Sequence, residues 1–307
     1  MIFDAHCDTM SRILDEGKQL FANDLEIDLQ RMPKQYIQVF AAFVDKENCK
    51  KTPLNRCLNI IERYHSEIEK NCDIIQHCIT YDEIMQSFDG GKSAAILSVE
   101  GGEALDGNLS ALWALYRLGV RLITLTWNYP NEIADGALTE SKGGLTPFGK
   151  TVVAEMNRLG MVIDVSHLSE RGFWDVMEIT SAPIVASHSN ARALCGHLRN
   201  LTDEQIRAII QNGGAIGLNF YPEFLSDSGQ AGIDDILRHL EHMLELGGED
   251  SVGFGSDFDG VDSLPDGIAG VQDMQRLMER MYRAGYSETL VKKIAAENFL
   301  RVFREIL

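Results

Sequence analysis

"AAILSVEGGEALDGNLSALWALYRLGVRLITLTW", residues 94–127, carries an apolar run at each end and a segment of helical period between them. The runs Ala94–Glu100 and Arg121–Trp127 are rich in Ile, Leu and Val and do not alternate strictly, which suits parallel strands buried on both faces. Leu109–Leu118 fills the interval as a predicted helix. Further runs of the same kind stand at Met1–Asp8, Tyr36–Val44, Met161–His167, Pro183–His188, Ala215–Phe220 and Ser251–Asp257, making eight candidate strands. Helical patterns separate many of them. In Leu54–Lys70 the residues Leu54, Leu58, Ile61 and Ile68 share one face. Pro147 opens a helix to Arg158, Thr202 caps Asp203–Gln211, Gly247 and Gly248 stop Ile233–Leu246, and Ser287 caps a helix to Ile306. Eight strands alternating with helices predict a (β/α)8 TIM barrel of the metal-dependent hydrolase type, with residues 1–307 as a single catalytic domain. An open doubly wound sheet is the competing arrangement.

The bulk properties narrow the function classes. Net charge is −18, from 46 acidic and 28 basic residues, so a general electrostatic affinity for nucleic acid or an anionic membrane is not expected. No apolar run approaches the roughly 18 residues of a membrane span, and no basic-then-apolar leader opens the chain. The six cysteines, Cys7, Cys49, Cys57, Cys72, Cys78 and Cys195, form no CxxC pair and are expected to be free thiols in a cytoplasmic protein.

A barrel places its chemistry at the C-terminal ends of its strands. Those ends present His6 and Asp8, Glu100, His167, His188, and Asp257 with Asp259 close behind. Residues i and i+2 of a strand share a face, so His6 and Asp8 project together and Cys7 points away. Imidazole with carboxylate suits zinc and similar divalent ions. Five ligands exceed one open catalytic site and fit two ions sharing a bridging carboxylate. Glu100 is the natural bridge, with His6 and Asp8 on one ion and His167 and His188 on the other. Two such ions acidify a shared water and polarise a carbonyl. Asp257 is then left to carry the proton from that water to a leaving amine. His239 and His242, one helical turn apart amid charges, read as a solvated helix face; His65, His77 and His197 show no partners in sequence. "GGKSAA", Gly90–Ala95, lacks the spacing of a phosphate loop. Tyr221 follows the seventh strand and would reach the same mouth.

The order and spacing of these residues resemble the membrane (renal) dipeptidase family, binuclear zinc peptidases on an amidohydrolase-related barrel. The likeness is carried by "DAHCDT", by Val99–Thr126, by the two histidine segments, by "VGFGSDFDG" and by "ENFLRVF". It implies hydrolysis of L-L and L-D dipeptides by a hydroxide bridging two zinc ions, with His6, Asp8, Glu100, His167 and His188 as ligands and Asp257 handling the proton. It also implies that Arg199, eleven residues after His188, holds the substrate's free carboxylate, that cell-wall peptides are among the substrates, and that the protein forms a dimer as relatives often do. One departure stands out. Better-known members carry a histidine after Thr-Leu-Thr that steadies the oxyanion; here the place is Trp127, with Asn128, Tyr129 and Asn131 as nearby donors. Trp127 and Asn128 are therefore expected substrate contacts, as is Tyr221. Trp127 also keeps open a second reading: a related hydrolase of N-acyl amino acids, lactones or phosphoesters.

Overall fold

Every predicted strand forms. The computed structural model describes residues 1–45, 52–141 and 143–307. Its parallel strands are β1 (Ile2–Cys7), β2 (Tyr36–Phe43), β3 (Ile75–His77), β4 (Ser93–Glu100), β5 (Val120–Thr124), β6 (Val162–Asp164), β7 (Val185–Ala186), β8 (Ala215–Leu218) and β9 (Val252–Phe254). Eight of them close in the order β2-β1-β9-β8-β7-β6-β5-β4, with β4 returning to β2 from Ile37↔Ala94 to Phe43↔Glu100. The result is the (β/α)8 barrel. The ninth, β3, was not anticipated. It pairs with Ser93–Ala95 on the edge of β4 that β5 takes over from Leu97, and three residues are too few to leave a periodic signal.

Several strands, β6, β7 and β9 among them, end earlier than their apolar runs. The backbone N–H groups of Ser166 and Ser187 donate to Asp164 Oδ1, and that of Ser256 to Asp4 Oδ1. Buried carboxylates thus take the donors that a ladder would use, and β6, β7 and β9 give way to loops. The predicted helix Ser287–Ile306 is likewise divided, with one π turn at Lys293–Glu297 between Glu288–Lys292 and Asn298–Ile306.

Phe3, Ala5, Ile37, Val39, Ala94, Ile96, Leu122, Val162, Val185 and Ala215 belong to one buried cluster inside the barrel, and the last helix closes it from the N-terminal end. Phe3, near the start of β1, stacks on Phe299 with centroids 5.2 Å apart. The opposite mouth is left for chemistry. Among the described residues no helix is long and apolar enough to cross a membrane. Cys7, Cys57, Cys72, Cys78 and Cys195 are free; Cys49 lies outside the described residues.

The unassigned histidines are not as expected. His77 Nδ1 pairs with Tyr64 Oη at 2.7 Å, and His65 Nε2 donates to Leu118 O at 2.9 Å. His239 is no solvated residue: it is fully buried, accepts from the Ala191 N–H at Nδ1 and donates from Nε2 to Leu225 O. It falls in the buried stripe of Ile236, Leu240 and Met243. Burial pushes its pKa down to about 4. Unfolding therefore takes up a proton below pH 6.5, so His239 stabilises the fold fully above that pH. The contribution fades as pH falls toward 4, by up to about 3 kcal/mol. Urea unfolding at several pH values should show this slope, and His239→Gln should flatten it.

Candidate active site

Phe3 and Ala5 face the barrel interior. A register shift between Asp4 and Cys7 resets the alternation of β1, and His6 also turns inward, stacking on His188 with ring centroids 3.9 Å apart. Its Nε2 lies 3.4 Å from Asp8 Oδ2, 3.3 Å from Glu100 Oε2 and 3.7 Å from Asp257 Oδ1. The other oxygen of Glu100, Oε1, stands 2.9 Å from His167 Nε2 and 3.6 Å from His188 Nε2. The side chain at the end of β4 thus presents one oxygen to each histidine group.

Three sets of ligand atoms lie within 4.8 Å of one another: His6 with Asp8 and Glu100, Glu100 with His167 and His188, and His6 with His188 and Asp257. All are buried, and among the described residues His6 Nδ1, His6 Nε2 and Asp8 Oδ1 find no hydrogen-bond partner. Unpaired buried polar atoms cost about 1–3 kcal/mol each, and donors of this kind and spacing fit divalent cations. Burial, followed by Arg199 for one ring and His6 for the other, holds His167 and His188 well below their ordinary pKa, so both are neutral imidazoles. Burial opposes a charge on His6, but Glu100 and Asp8 together hold it above its ordinary value. Burial raises Asp257 despite the opposing pull of His6.

His167 and Asp257 adopt left-handed backbone, with φ of 65° and 63°. Such non-glycine residues cost about 1–3 kcal/mol and cluster at functional sites. Each is steadied from outside. His167 Nδ1 donates to Asn128 Oδ1 at 2.8 Å, which leaves Nε2 for a ligand. Asn219 Nδ2 donates to Asp257 Oδ2 at 2.8 Å. Asn219 escaped the sequence reading, although a polar residue within the run Ala215–Phe220 is itself a signal. Also missed was a clasp beside Asp257. The backbone N–H of Glu26 donates to Asp259 Oδ1, that of Asp259 donates to Glu26 Oε2, and the Thr9 hydroxyl donates to Asp259 Oδ2.

A cleft of about 870 Å³ opens over the cluster, with Trp127, Asn128, Tyr221 and Phe224 in its walls. Trp127 packs between Phe43 and Tyr129, with centroid distances of 5.4 and 6.0 Å. Asn131 does not face the cleft. Its amide donates to Glu103 and Leu125 O and accepts from the N–H groups of Ile133 and Ala134. Arg199 sits deeper than a cleft wall. It is 3% exposed, lies 5.4 Å from the Phe224 ring centroid, and donates from Nη2 to His188 O. Its Nε finds no partner among the described residues. Burial lowers its pKa to about 10, which leaves it cationic at neutral pH.

A parallel barrel that gathers neutral imidazoles and carboxylates around one shared glutamate is the architecture of a metal-dependent hydrolase. The chain matches the membrane dipeptidase family, peptidase family M19, over residues 1–307. It belongs to that family, and is a peptide-bond hydrolase with a metal cofactor. A solved metallopeptidase of the same family, dipeptidase AC, superposes with a TM-score of 0.92 at 33% identity, covering 99% of this chain and 98% of its own. A metallopeptidase from Rhodobacter sphaeroides, solved with a phosphinate mimic of L-Ala-D-Ala, gives 0.91 at 31% identity over 100% and 99% of the two chains. An uncharacterised Klebsiella pneumoniae protein from the pqqA 5′ region is 37% identical over 239 residues, 75% of this chain and 88% of its own.

Proposed function

We propose that this protein is a dipeptidase that works with two zinc ions, and that residues 1–307 act as one catalytic domain. His6 and Asp8 would hold one ion, His167 and His188 the other, and Glu100 would serve both. The observation that carries this reading is the splayed carboxylate of Glu100, with Oε2 toward His6 and Oε1 toward His167. Bound ions of this kind supply an acidified water and a polarised carbonyl. Asp257, raised by burial and held by Asn219, is suited to accept a proton from water and return it to the leaving amine. The unpaired Nε and buried charge of Arg199 suit a free C-terminal carboxylate, which would confine the enzyme to short peptides. The L-Ala-D-Ala mimic bound by the Rhodobacter relative supports action on L-D as well as L-L substrates.

The test is a panel of L-L and L-D dipeptides, each with its C-terminal amide, assayed with two equivalents of zinc. Free acids should be cleaved and amides should not. Arg199→Met should lower kcat/KM on free acids about 30-fold or more, the loss expected when one partner of a buried charge pair is removed. Cleavage of N-acyl amino acids or lactones without dipeptide turnover would overturn this reading in favour of the second one, which Trp127 keeps open.

A further inference from the structure

His188 Nδ1 lies 2.7 Å from Ser187 Oγ, and that hydroxyl lies 2.5 Å from Asp164 Oδ2. Asp164 is fully buried. Its Oδ1 receives the N–H groups of Ser166 and Ser187 at 3.0 and 2.8 Å, and its Oδ2 also receives the Thr124 hydroxyl at 2.6 Å. A carboxylate that collects donors on both oxygens accepts from Ser187 as well. A hydroxyl has one hydrogen, and Ser187 spends it on Asp164. Toward His188, then, Ser187 Oγ can only accept. The hydrogen between them belongs to Nδ1, and Nε2 keeps its lone pair toward Glu100 and His167.

We propose that Asp164 and Ser187 are positioning residues: a relay from carboxylate through hydroxyl to imidazole fixes His188 as the Nδ1–H tautomer and reserves Nε2 for the metal. This rests on the reading that His188 is a ligand. Neither residue touches the cleft; Asp164 ends β6 and Ser187 directly follows β7. The relay has a polarity, and polarity can be reversed. In Asp164→Asn the amide oxygen must stay toward the two backbone N–H groups, so its NH2 faces Ser187 Oγ. Ser187 would then turn its hydrogen toward His188, forcing hydrogen onto Nε2, where it opposes metal binding. Ser187→Ala only removes the preference.

The experiment measures release of zinc to a chelator, metal stoichiometry and kcat for the wild type, Asp164→Asn, Ser187→Ala and the double variant, with thermal midpoints of the metal-free proteins alongside. Ser187→Ala should weaken retention of one ion about 10- to 100-fold, the usual effect of losing a partner behind a ligand. Asp164→Asn should be worse. The double variant should recover to the level of Ser187→Ala, because without the hydroxyl the reversed polarity cannot reach His188. Residues in contact seldom add whatever their role, so the deciding result is recovery: a double variant that retains zinc no better than Asp164→Asn alone would overturn the proposal. So would wild-type zinc release in Ser187→Ala, which decides alone should Asp164→Asn not fold. Zinc retention reports the relay and dipeptide turnover reports the proposed function, so either can fail without the other.

Discussion

Glu100→Gln should lower kcat/KM by about 10³-fold or more and release one of two metal equivalents. The substitution conserves volume and shape but replaces one accepting oxygen with a donating NH2, so its effect isolates the second oxygen. Whichever way the amide turns, one histidine group meets an NH2 where it met a carboxylate. The oxygen facing His6 is 3.3 Å away and the one facing His167 is 2.9 Å away, and glutamine can satisfy only one of them. Loss of one ion removes several kcal/mol of charge stabilisation, at a factor of ten per 1.36 kcal/mol. Metal analysis of the purified variant beside steady-state kinetics makes the measurement. A variant that keeps both ions and a tenth of the activity would show that Glu100 is not shared.

Gly260→Ala should lower kcat/KM by about 10²-fold while leaving the barrel folded. A Cβ at this position would come closer than 3.0 Å to both Asp8 Oδ2 and Asp257 Oδ1. Side-chain carbons do not approach oxygen so closely, and neither carboxylate has a long arm to swing. Asp257 is anchored by Asn219. One or both must move by a sizeable part of an ångström, and misplacement near 1 Å costs about 10²-fold in rate. The backbone of Gly260 is not in the left-handed region, so alanine adds no strain of its own. Circular dichroism should be unchanged while turnover falls; unchanged turnover would mean that the two carboxylates tolerate displacement.

The cluster of candidate ligands is more legible in the sequence than the shapes that carry it. His6, Asp8 and Glu100 follow from the ends of the apolar runs, because they stand at or just past the ends of true strands. His167, His188 and Asp257 lie in loops beyond short strands, two of them with left-handed backbone. They were found because the apolar runs lead up to them, although the strands end first. Asp4 and Asp164 caused that difference, and their partners Ser256 and Ser187 lie 252 and 23 positions away. No local pattern announces such pairs. The clasp of Glu26 with Asp259 is equally non-local, spanning 233 positions. His239 is a different case, since its spacing from Ile236 and Met243 already placed it on the buried stripe. Arg238 and Glu241 beside it belong to the helix's polar face, which the charge pattern alone does not separate from the buried stripe.

The seam between β1 and β9 has a consequence for how the enzyme comes into being. Only Asp4↔Phe254 pairs there as a strand ladder, reinforced by Asp4 with Ser256 and by the Asp8 N–H to Phe258 O. Bringing together residues some 250 positions apart costs about 5 kcal/mol of chain entropy beyond a constant. Until that cost is met, His6 and Asp8 have no Asp257 opposite them and the cleft lacks a wall. A nascent chain halted before β9 would already carry Glu100, His167 and His188, yet would be inert toward peptides. Peptidase activity is thus expected only once the last stave of the barrel is in place.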